Sequence, residues 1–411
     1  MKKNILVGQS GGPTAVINAS LYGVIAEGMD RLDEVEHVYG MVNGIEGFLK
    51  GNYLDLSEDL TQKELERIKL TPAAYLGSCR YRLPKDLSSP IYPEIFQKLE
   101  ELDIGCFLYI GGNDSMDTVD KLSRYARQAG SPVRFIGIPK TVDNDLMLTD
   151  HTPGYGSAAK YVASTVREIV LDASVYHQPA VTIIELMGRN AGWLTAASVL
   201  ARKYEGDNPL FVYLPESQFD FQKFAKDLDG ALRRQPSVVV CVSEGISDAQ
   251  GRLICEYNDQ AKTDNFGHKM LTGCGKVLEG FVQRHFDIKV RSVEINVSQR
   301  CSGMVLSATD VEEAALAGSF GTRAALEGAT GKMVAFVRAE GPCYGVTCSL
   351  VDVGQVCNQE KRFPLDWVTG EGNNISARFQ EYALPLIQGE PARPMKQGLP
   401  VYAYRKRACG V

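Results

Sequence analysis

Short runs of β-branched and other apolar residues alternate along this chain with longer stretches whose apolar positions recur at helical spacing. Ile5 to Val7 leads through a glycine turn into the amphipathic stretch Ala15 to Glu27, and Cys106 to Ile110 leads through a second glycine turn into a helical stretch reaching Arg127. Val133 to Ile138 is cut off by Pro139, Val181 to Leu186 precedes a helical stretch from Ala191 to Arg202, Leu210 to Leu214 stops at Pro215, and Val238 to Val242 stops at Ser243 and Glu244. Runs this short, bounded by glycine and proline, predict buried strands, and their alternation with helices predicts parallel sheets with helical crossovers. The expected fold is α/β: two doubly wound, Rossmann-like domains with mainly parallel sheets and the active site in the cleft between them. Residues 1–155 are expected to form one domain, completed by part of 301–411, and residues 156–300 the other, with a polar, glycine-containing insertion near 251–275. Beyond Arg300 the pattern offers one clear helix, Val311 to Leu326, and one strand, Lys332 to Val337, before a proline-spotted tail to which no function attaches.

Composition narrows the class without naming a chemistry. Over 411 residues, 44% hydrophobic and 23% charged residues are ordinary for a soluble globular protein. A net charge of -6 gives no broad electrostatic reason to expect nucleic acid or an anionic membrane, while leaving small anionic ligands open. The 10 cysteines are scattered without a C-x-x-C pair, which fits free thiols in a reducing cytoplasm. No histidine has metal-ligand spacing with another histidine or with a cysteine, and no G-x-S-x-G elbow is present. The apolar run after Lys2 and Lys3 is too short for a secretory core, and no segment approaches the ~20 apolar residues that span a bilayer.

The polar residues that remain concentrate just after the predicted strands. "SGGPTAVINA" puts Gly11 and Gly12 at a strand end and Pro13 at a first helical turn, where backbone amides and a helix N-terminus can meet an anion. "YIGGNDSMDT" repeats the arrangement with Gly112, Asn113, Asp114 and Ser115. Read alone, each is equally a tight turn without a ligand, with Asp114 or Ser115 as a helix cap. "PKTVDND" then packs Lys140, Thr141, Asp143, Asn144 and Asp145 into one strand-end loop. One aspartate there can take a proton from a hydroxyl attacking phosphorus, another can hold Mg²⁺, and a lysine can offset phosphoryl charge; the alternative is an Asx-turn with surface ion pairs. "ELMGRNAGW", Glu244 and "RSVEINVSQR" add Met187, Gly188, Arg189, Arg291, Gln299 and Arg300, a set suited to gripping a sugar phosphate.

These segments, in this order, resemble the phosphofructokinase family: SGGPTAVIN, LGSCR around Arg80, GGNDS, PKTVDND, MGR, the strand-end Glu244 and VSQR. The resemblance implies a phosphotransferase that makes fructose 1,6-bisphosphate from fructose 6-phosphate in glycolysis or gluconeogenesis. It implies that Asp143 accepts the proton of the 1-hydroxyl, that Thr141 sits by the transferring group, and that Asn113 and Asp145 lie at a Mg²⁺ site. Gly11, Gly12, Gly112, Asp114 and Lys140 would hold the donor, with Arg80 offsetting its charge. Met187, Gly188, Arg189, Glu244, Arg291, Gln299 and Arg300 would hold the sugar phosphate, with Arg291 reaching in from a neighbouring subunit of a homo-oligomer, dimer or tetramer. The domain 1–155 would then be the donor domain and 156–300 the sugar-phosphate domain.

Asp114 and Lys140 stand where ATP-dependent members carry glycines, and this points to pyrophosphate as the donor, in a reversible reaction. An aspartate beside the α-phosphate of a nucleotide would place like charges together in a site sheltered from water. An ATP-dependent enzyme is the alternative, and a non-catalytic sugar-phosphate-binding regulatory subunit a more distant one. The chain departs from the family pattern in two places: Asn113 replaces the aspartate of GGDGS, and Pro179 and Ala180 occupy the region where many members have an arginine.

Overall fold

The structure, a computed structural model, describes residues 2–204, 206–257, 273–341 and 343–405. Eleven strands form its two main sheets: β1 (Lys3–Gln9), β2 (Val35–Met41), β3 (Tyr53–Asp55), β4 (Ile104–Gly111), β5 (Arg134–Pro139), β6 (Ala180–Leu186), β7 (Phe211–Tyr213), β8 (Ser237–Ser243), β9 (Lys289–Glu294), β10 (Lys332–Arg338) and β11 (Val346–Asp352). The first sheet has the order β11-β10-β5-β4-β1-β2-β3 and is parallel except for its edge strands β3 and β11. The second, β7-β8-β6-β9, is parallel throughout. Both centres are built from continuous apolar runs, because helical crossovers cover both faces of a parallel sheet. Every residue of β8 is buried, as are six of the seven in β6.

One expectation needs adjustment, and another falls largely outside the described residues. The helical stretch from Ala191 to Arg202 is a short α-helix, Trp193–Ala196, continued as a 3₁₀ turn over Ala197–Ala201, because residues 188–192 are taken up by the turn that leaves β6. Most of the insertion near 251–275 lies outside the described residues. Its last part opens the helix Cys274–His285, whose first turn is held by the buried Glu185 of β6: the carboxylate accepts the N–H groups of Gly273 at 3.1 Å and Gly275 at 2.7 Å. Among the described residues no helix is long and apolar enough to cross a membrane.

The last hundred residues join the two sheets. β10 and β11 extend the first sheet, and the helix Ala308–Leu326 packs along the helix Ile17–Asp30. Val353, Val356 and Cys357 enter the core under β4 with Phe107 and Met116, whereas Phe363, Phe379 and Leu386 enter the core of the second sheet with Tyr155 and Trp193. Residues 358–362 therefore cross from one core to the other.

The Ile17–Asp30 and Ala308–Leu326 helices meet backbone to backbone through glycines. A methyl group on Gly23 would stand 2.0 Å from the Ala315 carbonyl oxygen, and one on Gly318 would stand 2.1 Å from that of Ser20. Alanine is ordinarily the better helix former, so Gly23→Ala separates propensity from packing. The expected outcome is destabilisation by about 1–3 kcal/mol from overpacking, read as a lower urea midpoint. A midpoint that holds or rises would contradict this contact.

Candidate active site

In the first sheet the chain lays β2 and β3 on one side of β1 and then returns to place β4 and β5 on the other. The strand order thus reverses between β1 and β4, and the crevice beyond the carboxyl ends at such a reversal is where open α/β sheets take ligands. Three polar turns leave the sheet there side by side: Gly11-Gly12 after β1, Gly112 to Ser115 after β4, and Lys140 to Asp145 after β5. Together they line a cavity of about 660 Å³. Gly11 has φ 78°, the left-handed region, and its carbonyl accepts the Ser78 hydroxyl at 2.6 Å. A methyl on Gly111 would stand 1.9 Å from Ser115 Oγ, which is why the helix Asn113–Ala129 can start so close to the strand end.

Lys140 is 3% exposed and its ammonium donates to the Gly12 carbonyl at 2.7 Å. Burial lowers its pKa to about 8, against the pull of Asp143 and Asp145. Asp143 is pushed upward, first by burial and then by Glu244, while Lys140 and Arg300 oppose the rise. Burial and the neighbouring Asp143 lift Asp145 to about 7. The Asp143 N–H donates to Thr141 Oγ1 at 3.1 Å, and Thr141, Asp143 and Asp145 all line the cavity. Two carboxylates and one ammonium with perturbed protonation, converging on one crevice, make a candidate proton-transfer and phosphate site.

Asp114 lines the same cavity, but it is not sheltered from water as expected. Its side chain is 67% exposed and pairs with Arg82 at 3.0 Å. Solvent and the guanidinium both screen its charge, so its repulsion of a nucleotide is weaker than a buried carboxylate would exert. Arg82 rather than Arg80 reaches the cavity wall; Arg80 is exposed, although its charge is felt at Lys140. The segment CRYR offers two guanidinium groups two residues apart, and no local pattern distinguishes them. Asn113 also lines the cavity, but its side-chain oxygen accepts the Asn358 N–H and its amide donates to the Gln359 carbonyl, so that oxygen is already engaged.

The ends of β6, β8 and β9 supply the opposite side. Met187, Glu244 and Asn296 line a small recess there with Glu185 and Glu294. Glu244 accepts the Gly188 N–H at 3.3 Å and is raised in pKa chiefly by burial, with Arg189 and Arg300 opposing. Arg300 lies against the Gly11-Gly12 turn, since a methyl on Gly12 would be 3.2 Å from its Nη1. Gln299 is 1% exposed; its oxygen accepts the Met187 N–H at 3.3 Å and its amide donates to the Asn296 carbonyl at 2.8 Å, so it braces the strand-end turns from within. Arg291 is not brought to this cleft. It sits on β9, 3.6 Å from Asp172, in a separate groove with Lys289 and Tyr176.

Three further residues line the main cavity without any warning in the sequence pattern: Asn358, Glu360 and Arg362, from the stretch that crosses between the two cores. Glu360 accepts the Asn190 amide at 2.7 Å, so the crossing is tied to the β6 turn as well as to Asn113. No motif marks this stretch; its signal is the placement of three polar residues just before Phe363, which is buried.

Comparison with known proteins agrees with this architecture. The family described as Phosphofructokinase matches residues 4–318. A pyrophosphate--fructose 6-phosphate 1-phosphotransferase of Halomonas elongata is 37% identical over 404 residues, covering 97% of this chain and 95% of the relative. One of the same description from Xanthomonas campestris pv. campestris is 38% identical over 407 residues, covering 98% and 96%. The crystal structure of a pyrophosphate-dependent phosphofructokinase from Marinobacter aquaeolei superposes with a TM-score of 0.88 at 36% identity, over 98% of this chain and 96% of that one. With strand-end turns, cavity and near full-length similarity in agreement, the chain belongs to the phosphofructokinase family.

Proposed function

We propose that this chain transfers a phosphoryl group from pyrophosphate to the 1-hydroxyl of fructose 6-phosphate, giving fructose 1,6-bisphosphate and phosphate, reversibly. The observation that carries this reading is Lys140: a buried ammonium held on the Gly12 carbonyl, beside Asp143, in a cavity walled by two glycine turns and Asp114. An inorganic donor brings no nucleoside binding energy, so a fixed charge at the transferring group has to supply more of the stabilisation. The similarity to relatives described as pyrophosphate-dependent, over nearly their whole length, supports the same donor.

In this reading Asp143 accepts the proton of the 1-hydroxyl as that oxygen bonds to the terminal phosphorus, and the bridging P–O bond breaks to release phosphate. Lys140 and Arg300 favour the ionised Asp143 that the step needs. Lys140 offsets charge on the transferring group, and Gly11, Gly12 and Gly112 present backbone to the donor. Arg80, Arg82 and Arg362 add positive charge around it. Arg189, Arg300 and Glu244 grip the sugar phosphate with the backbone of Met187 and Gly188, while Gln299 steadies that turn. Arg291, which faces away from its own cleft, would serve a neighbouring subunit of a homo-oligomer. Residues 1–155 with part of 301–411 form the donor domain, and 156–300 the sugar-phosphate domain. Free thiols at the described cysteines fit a reducing cytoplasm.

A divalent cation fits the site. The half-buried Asp145 carboxylate, raised by desolvation and then by its neighbour Asp143, is a place where positive charge would relieve repulsion. Asp145 would hold Mg²⁺, which supplies neutralisation of phosphate charge when bound. Asn113 contributes less than expected, because its oxygen is engaged by Asn358.

The direct test is turnover of fructose 6-phosphate with Mg²⁺ and either donor. Pyrophosphate should support rapid turnover and ATP little; fast turnover with ATP alone would reject the assignment. Asp143→Ser should lose about 10²–10⁴-fold in kcat, the range for a removed general base, while calorimetry still detects sugar-phosphate binding. Full activity in that variant would remove the base. A third measurement concerns pH. With its pKa lowered to about 8, Lys140 is charged below that pH and neutral above it, so kcat/KM for pyrophosphate should fall as pH rises through about 8. In Lys140→Arg that falling limb should disappear, at a lower absolute rate. An unmoved limb would assign it to another group.

A further inference from the structure

The loop after β5 carries its two cavity aspartates on either side of Asn144, which has φ 55° and is 0% exposed. Asparagine enters the left-handed region more readily than other non-glycine residues, and here hydrogen bonds fix it there. Asn144 is held on three sides. Its amide donates to the Tyr382 hydroxyl at 2.8 Å, and its oxygen accepts the Thr152 N–H at 3.1 Å and the Lys361 ammonium at 3.4 Å. With Asn144 turned inward, Asp143 and Asp145 both line the cavity.

Lys361 does more than touch Asn144. Its backbone N–H donates to the Asp145 carbonyl at 2.7 Å, and its ammonium donates to the carbonyls of Thr149 at 3.1 Å and Asp150 at 2.8 Å. The Trp193 indole N–H donates to the Lys361 carbonyl at 3.1 Å, and the ammonium lies 5.0 Å from that ring's centre. One residue thus grips the loop at Asn144, Asp145, Thr149 and Asp150. Its own segment is fixed on both sides: Cys357 in the first core, Phe363 in the second, Asn113 holding the backbone at 358 and 359, and Asn190 holding Glu360.

We propose that Lys361 is a positioning residue for phosphoryl transfer: acting through the left-handed Asn144, it holds Asp143 and Asp145 towards the cavity, and the crossing segment 358–362 ties that loop to both walls of the cleft. This inference rests on the phosphotransferase reading for its kinetic consequence, but its structural content does not. Lys361 does not line the cavity, so its loss should act on geometry, which governs rate more than ground-state binding.

The test compares Lys361→Met and Tyr382→Phe with the full-length wild type. In Lys361→Met, kcat should fall about 100-fold while KM for both substrates stays within about threefold. Tyr382→Phe, which removes one hydroxyl and keeps the ring, should show the same split with a loss of about tenfold. Hydrogen exchange without substrate should show the amides of 143–146 losing protection in both variants, ahead of the strands that flank them. Unchanged exchange at those amides in Lys361→Met overturns the proposal whatever the rates do, and should that variant not fold, Tyr382→Phe decides on the same criterion. A kcat within about twofold of wild type in Lys361→Met also overturns it. A wild type inactive with pyrophosphate would reject the donor assignment, while the exchange result would still decide whether Lys361 holds the loop.

Discussion

Lys140 is a charge almost without water: its ammonium rests on the Gly12 carbonyl, and burial works against its proton while Asp143 and Asp145 work to keep it. Much of the cleft follows from that balance. An isolated buried ammonium would simply release its proton, so carboxylates must stand near. Burial lifts both carboxyls in turn, with Glu244 adding to the rise at Asp143 and Asp143 adding to the rise at Asp145, while Arg300, which follows the last strand of the second sheet, opposes the rise at Asp143. The backbone beneath also has to stay bare, since a methyl at Gly11 would lie 3.3 Å from the Lys140 ammonium. The glycines, the paired aspartates and the arginine are one electrostatic arrangement.

That arrangement draws on two sheets, and residues near the end of the chain lock them together. The first sheet supplies the glycine turns and the Lys140 to Asp145 loop; the second supplies Glu244, Arg189 and Arg300. Between them run residues 358–362, anchored at Cys357 in one core and at Phe363 in the other, where Phe363 packs 5.1 Å from Trp193. Behind the loop lies a further buried set of charges. Asp150 takes Arg338 on one side and His151 on the other, and His151 reaches Glu313 at 2.7 Å. Burial opposes the imidazolium, yet its two carboxylate partners outweigh burial and raise its pKa. Paired charges of this kind contribute little net stability, but breaking one partner is costly, so they hold a backbone in one arrangement.

Donor discrimination reads differently in three dimensions. Asp114 lines the main cavity, but Arg82 and solvent share its charge. The larger electrostatic asymmetry is therefore the sheltered Lys140 rather than the exposed Asp114, because a charge in low dielectric acts more strongly on its neighbours than one in water.

The strands β1, β4, β5, β6 and β8, the glycine turns after two of them and the polar loop after Pro139 are legible in the sequence, because apolar runs and chain-breaking residues are local signals. So is the parallel α/β class, which follows from the alternation of those runs with helices. The sequence does not separate Arg82 from Arg80, show that Gln299 braces a turn from inside, or turn Arg291 away from its own cleft. Nor does it reveal that Asn113 is tied to Asn358 and Gln359, a contact between positions 245 and 246 residues apart. Those outcomes depend on which surfaces meet when the chain closes on itself, and no period of two or of 3.6 residues encodes such a meeting. Local patterns fix which residue types stand at the strand ends; the meeting of distant surfaces fixes which of them share water, which share charge, and that Lys361 sits behind the Lys140 to Asp145 loop.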